Sequence, residues 1–221
     1  MKRTLLCVIT LTCIALTTFG QDFYTPQERS YWLQKAQEYM PKLTETIVNP
    51  IGTVNIVESK ESVQSWKVMP ASSIETFYKT SLKSQSGVII DFGEHMTGYF
   101  TFVVSPMNLT PDAPARIKLT FGEVPSELAT PFDPYTGGLS RAWLQVEIVT
   151  ITTVPDTITI PRRLAFRYVK AELLHAPNYE FTLSNVFCKA VTSAAKKPEP
   201  LPQSVSQIIK DIDRIGLNTL K

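Results

Sequence analysis

Asp91, Glu94 and Glu123 are the carboxylates in this sequence that invite an acid–base reading. Two carboxyl groups held on either side of a reacting bond can divide the work of general acid and general base. Two of these residues, Asp91 and Glu123, also have a structural reading. Asp91 precedes Phe92 and Gly93 at a strand end, where an aspartate side chain bonds nearby backbone amides, and we read it in that role. Glu123 ends a strand and is expected to pair with Arg163 or Arg167, since long side chains of opposite sign are common neighbours on facing strands. The two histidines, His95 and His175, belong to no ligand-spaced cluster, so no metal site is expected; His95 is retained as a candidate carbohydrate or domain-interface contact.

Recognition chemistry is richest between Pro131 and Trp143. Phe132, Asp133, Tyr135, Arg141 and Trp143 there combine aromatic faces, which stack on the apolar side of a sugar, with planar polar groups that bond hydroxyls. Gly137 and Gly138 mark a loop, the usual seat of function on a rigid scaffold. The same residues serve equally well for packing or for docking a domain, and Trp143 can begin a core strand. The chain has no glycine-rich phosphate cradle followed by a helix, no Cys-x-x-Cys, and too few histidines for a Ser-His-Asp set, so no cofactor is expected.

The elements that must hold these residues are mostly strands. Thr53 to Val57, Ile74 to Tyr78, Val88 to Phe92, Tyr99 to Val104, Arg116 to Phe121, Ala142 to Thr152, Thr157 to Ile160, Phe166 to Leu174 and Phe181 to Val191 are β-rich runs separated by turn residues. The last is expected to break near Ser184 and Asn185. Ile117, Leu119 and Phe121 share one face with Arg116, Lys118 and Thr120 opposite, the half-buried alternation of an antiparallel sheet. Phe100, Phe102 and Val104 likewise share a face. The expected fold is all-β, an antiparallel jelly-roll-like β-sandwich over residues 51–192, with helices at both ends.

Thr25, Pro26 and Glu28 are a helix start, with a hydroxyl cap, proline at the first position and glutamate three residues after the cap. They open a helical segment within residues 21–50, in which Tyr31, Trp32, Ala36, Tyr39, Met40 and Leu43 form an apolar face expected to dock on the main body. Residues 193–204 are rich in proline and charge and are expected to form an extended linker. Residues 205–221 return to helical spacing with Ile208, Ile212 and Ile215 on one face, a stripe that the linker is expected to hold away from the sandwich and that invites self-association.

Lys2 and Arg3 followed by an apolar stretch from Leu5 to Phe19, with Thr18 and Gly20 at cleavage positions, make residues 1–20 a signal peptide and the protein an exported one, periplasmic or secreted. No apolar run is long enough to span a membrane. Cys13 lacks the small preceding residue of a lipoprotein site. The 221-residue chain carries 22 basic and 20 acidic side chains; without Lys2 and Arg3 the charges balance, which disfavours nucleic acid as a partner. Of its three cysteines, removal of residues 1–20 leaves Cys188, set in the apolar run Val186 to Val191 and read as a small buried hydrophobe.

Several segments resemble, in order, the bacterial α-L-rhamnosidases of glycoside hydrolase family 78. VIIDFGEHMTGYFTFVV (Val88 to Val104) is similar to that family's strand, Asp-Phe-Gly turn and return strand, although Glu94 and His95 depart from its usual polar pair after the glycine. ARIKLTFGEV (Ala115 to Val124) and IPRRLAFRYVKAELL (Ile160 to Leu174) resemble later sandwich strands, and IIKDIDRIGLNTLK (Ile208 to Lys221) resembles the first helix of the helical catalytic barrel. The resemblance implies a non-catalytic sandwich that supports or docks such a barrel. The family's acid and base match no position here, so none is carried over and the chain alone is expected to be inactive. A freestanding carbohydrate-binding module and a structural or adhesion protein are the competing expectations.

Overall fold

The computed structural model describes residues 24–82, 87–108, 111, 114–131, 133–137, 140–175, 179–194 and 199–219. The proposed leader at 1–20 lies outside them. The chain divides into two units, residues 1–42 and 43–221.

The first unit contains α1 (Pro26–Glu38). Its start is the capping box expected from sequence: the Thr25 hydroxyl accepts the Glu28 N–H at 3.2 Å, and the Glu28 carboxylate accepts the Thr25 N–H at 2.8 Å. Tyr31 and Trp32 meet edge to face at 5.3 Å, and the Lys35 ammonium lies 5.3 and 5.7 Å from their ring centres. None of the helix's residues is buried within the helix's own unit.

The second unit is an antiparallel β-sandwich in which, among the described residues, nine strands are joined by hydrogen bonds, six in one path and β2, β3 and β7 branching from it. They are β1 (Thr44–Val48), β2 (Gly52–Glu58), β3 (Trp66–Ser72), β4 (Val88–Pro106), β5 (Ala115–Gly122), β6 (Gln145–Ile151), β7 (Asp156–Thr159), β8 (Leu164–His175) and β9 (Phe181–Thr192). One layer runs β3-β2-β4-β8-β5-β6 and the other β1-β9-β4-β7, with β4 belonging to both. Its first half lies between β2 and β8, and its second between β9 and β7. The crossing is at Gly98, which pairs with Leu164 of β8 and with Ala190 of β9. A Cβ there would run into the Lys189 carbonyl and sit 2.7 Å from Ala190 Cα and Cys188 Sγ, so only glycine lets the two layers close on one strand.

The layers meet on phenylalanine. Phe100 of β4 packs edge to face on Phe121 of β5 and Phe166 of β8, with ring centres 5.4 and 6.0 Å apart, and Phe121 and Phe166 are 5.2 Å apart. Ile117, Leu119 and Phe121 are buried while Arg116 is exposed, as alternation requires. Cys188 is fully buried, and burial pushes its thiol up to about 12.

Tertiary packing overrides several local expectations. Ile74 to Tyr78 is not a strand: Ile74–Phe77 is a single helical turn, α2, because the Ser73 hydroxyl caps the Thr76 N–H at 3.3 Å and Phe77 turns into the core. Tyr78 then reaches β9, where its hydroxyl accepts the Val186 N–H at 3.0 Å and lies 3.3 Å from the Val186 carbonyl. These are the backbone groups left over by the expected break in β9, where Asn185 adopts φ 45° and the register against β4 slips. The two strands expected at 88–92 and 99–104 are one bulged strand, and the sheet takes in β1 and β3, two strands not anticipated from sequence.

At the other end, α4 (Gln207–Thr219) lies against β4 rather than standing away from the sandwich. Ile208, Ile209, Ile212 and Ile215 nevertheless face outward, while Lys210, Asp213 and Leu217 on the opposite side of the helix are half-buried.

Candidate functional site

The β4 bulge holds a polar cluster built on Asp91. Between Asp91 and Met96 the register against β8 slips, and Gly93 takes φ 83°, a left-handed conformation that glycine adopts without strain. Asp91 Oδ1 accepts the Gly93 N–H at 2.7 Å, the turn role read from sequence. The same carboxylate takes Arg167 Nε at 2.9 Å and Nη2 at 3.0 Å. Hydrogen bonding to Asp91 raises the Arg167 pKa, so the guanidinium stays charged, and it stacks 4.8 Å from the centre of the Tyr168 ring. A carboxylate held at both oxygens and buried is a strut for the bulge rather than an acid or base.

Of the two partners expected for Glu123, Arg167 is therefore already engaged and Arg163 is exposed. Glu123 instead lies beside His95, with Oε2 3.5 Å from Nε2, because the bulge carries His95 over the end of β5. A contact at that distance is not a well-formed hydrogen bond, and both ring nitrogens of His95 are enclosed without one.

Of the recognition residues proposed between 131 and 143, Phe132 lies outside the described residues. Asp133 is exposed and Arg141 Nη1 approaches its Oδ1 at 3.9 Å. Tyr135 is half-buried, its ring folded over Gly137. Trp143 does not begin a core strand: Arg141–Trp143 is one 3₁₀ turn, capped by the Ser140 hydroxyl, and the indole is 72% exposed, with β6 starting only at Gln145. The structure thus joins Asp133 to Arg141 and His95 to Glu123, in two separate places.

Sequence reasoning missed the concavity beside this loop. The outer face of β5 and β8 carries Lys118, Thr120, Lys170 and Glu172, and α3 (Pro125–Ala129) with Pro131, Asp133 and Leu144 closes one side to give a groove of about 270 Å³. Lys118 Nζ is 3.3 Å and Lys170 Nζ 3.2 Å from the Glu172 carboxylate oxygens. Alternation alone put Lys118 and Thr120 outward; the wall over them is made by the chain that folds back just after β5, together with Leu144.

The second unit is thus a two-layer antiparallel sandwich with a bulged central strand and a buried Asp-Arg strut. Residues 50–190 match the glycosyl hydrolase family 78 alpha-rhamnosidase N-terminal domain, and the chain belongs to that family. Among solved structures it is similar to a rhamnosidase from Klebsiella oxytoca with rhamnose bound, at 34% sequence identity and a TM-score of 0.78, over 86% of this chain. The chain spans 37% of the length of that rhamnosidase. No curated protein matches it. Among the described residues, no helix is long and apolar enough to cross a membrane.

Proposed function

We propose that this chain is the non-catalytic β-sandwich module of an exported rhamnosidase-like glycoside hydrolase, supporting and docking a helical-barrel catalytic domain. The observation that carries the reading is the orientation of α4. Its mixed face rests toward β4 while Ile208, Ile209 and Ile212 point outward, so the helix is seated on the sandwich with an apolar stripe ready for a second helical layer. Each isoleucine buried there contributes roughly 1.5 to 3 kcal/mol before ordering costs, enough in combination to hold two domains together. Membership of a rhamnosidase N-terminal domain family fits the same role.

The test is an aryl α-L-rhamnoside assay of the chain alone, and of a rhamnosidase catalytic barrel with and without the chain. No turnover by the chain alone and association with the barrel are expected. Turnover by the purified chain that vanishes in Glu123→Gln would place a complete active site in the sandwich and end the proposal. Export is checked by fractionation, with the processed product expected to start near Gln21.

A second reading, a carbohydrate-binding module, draws on the exposed Trp143 indole beside the groove wall formed by Leu144. It predicts sugar binding by the chain on its own.

A further inference from the structure

We propose that the groove on the outer face of β5 and β8 binds a single neutral pyranose; the choice of L-rhamnose as its probe rests on the rhamnosidase reading above. A pyranose presents hydroxyls around its rim and C–H bonds on its faces, so its site needs closely spaced donors and acceptors beside an apolar wall. The groove has both. Lys118 and Glu172 are cross-strand partners, as are Thr120 and Lys170, so the floor sets an acceptor carboxylate between two ammonium donors with a hydroxyl alongside. Leu128, Pro131 and Leu144 supply the apolar side.

Lys118, Glu172 and Lys170 are only 22, 23 and 28% exposed, so these side chains are already held in place and lose little freedom on binding. The volume of about 270 Å³ lies just below the range of roughly 300 to 1,000 Å³ typical of drug-sized ligands, which suits one ring and not a chain. Charge decides against other small ligands. Glu127, Asp133 and Glu172 offset Lys118 and Lys170, leaving no positive surplus for a phosphate, and an ammonium group on each side of Glu172 opposes a divalent cation.

The experiment is a titration of the full chain with L-rhamnose, D-glucose and D-galactose, followed by backbone amide shifts, with inorganic phosphate and calcium chloride run in parallel. Saturable shifts are expected for at least one sugar, confined to residues 118–120, 128–130 and 170–172. Glu172→Gln and Lys118→Met should each weaken binding about tenfold, the loss expected for one charge-assisted hydrogen bond, and leave the remaining spectrum unchanged. Linear shifts with every sugar, shifts centred on Trp143 and indifferent to both variants, or saturation of the groove by phosphate or calcium would overturn the assignment. Association with a rhamnosidase barrel, measured on the same sample, separates the two readings. A chain that binds the barrel but no sugar loses only the groove; a chain that binds sugar in the groove but no barrel keeps the groove and loses the docking role.

Discussion

Arg167 grips both carboxylate oxygens of Asp91, at 2.9 and 3.0 Å, and so ties the β4 bulge to β8. The two partners are unequally solvated, the Asp91 side chain being 5% exposed and that of Arg167 36%. Removing one is therefore not equivalent to removing the other. Arg167→Met leaves a buried carboxylate without its counter-charge and should cost about 3 to 5 kcal/mol. Asp91→Asn leaves a guanidinium that water can reach and should cost less, about 2 to 3 kcal/mol. Urea unfolding of both variants checks the order; equal losses would show that the pair is not set by burial.

Gly98 tests whether one strand serves both layers. Gly98→Ala forces a methyl group into the backbone of β9 and should destabilise by about 3 kcal/mol or more. Gly216→Ala on α4 meets nothing within 4 Å and should be neutral or favour the helix by up to about 1 kcal/mol. Thermal unfolding of the pair distinguishes a packing requirement from a general intolerance of substitution.

Cys188 makes a prediction in pH. Burial raises its folded-state pKa from 9.0 to about 12, so the unfolded chain releases this proton first. Its contribution to stability is complete below pH 9 and declines as pH rises from about 9 toward about 12. In a chain carrying Cys7→Ser and Cys13→Ser, a thiol reagent at pH 8 should react with Cys188 only after urea is added. Rapid labelling of the folded protein would mean that β4 and β9 separate readily in solution.

The outward face of α4 should govern association. Ile208→Ser with Ile212→Ser should abolish binding to a catalytic barrel, or self-association in its absence, while the melting temperature of the sandwich stays within a few degrees. Sedimentation velocity beside thermal unfolding measures both. A large drop in melting temperature would show that these isoleucines belong to the sandwich core.

What the sequence determined by itself was local. The Thr25, Pro26 and Glu28 cap, the Asp91 to Gly93 turn, the inward set Ile117, Leu119 and Phe121, and the buried Cys188 each depend on spacing within a few residues, where backbone geometry leaves few alternatives. The tertiary structure decided which strands meet. Ile74–Phe77 reads as β-prone yet turns helical, because Ser73 caps it and Phe77 and Tyr78 find partners in the core and on β9, more than a hundred residues away in the case of Val186. Arg167 chose Asp91 over Glu123 because the β4 bulge brings the one carboxylate beside it and turns the other toward His95. The groove follows the same logic: Lys118 and Glu172 become neighbours through strand register, and Leu144 comes to wall them through a loop path. Neither is written in the spacing of residues along the chain.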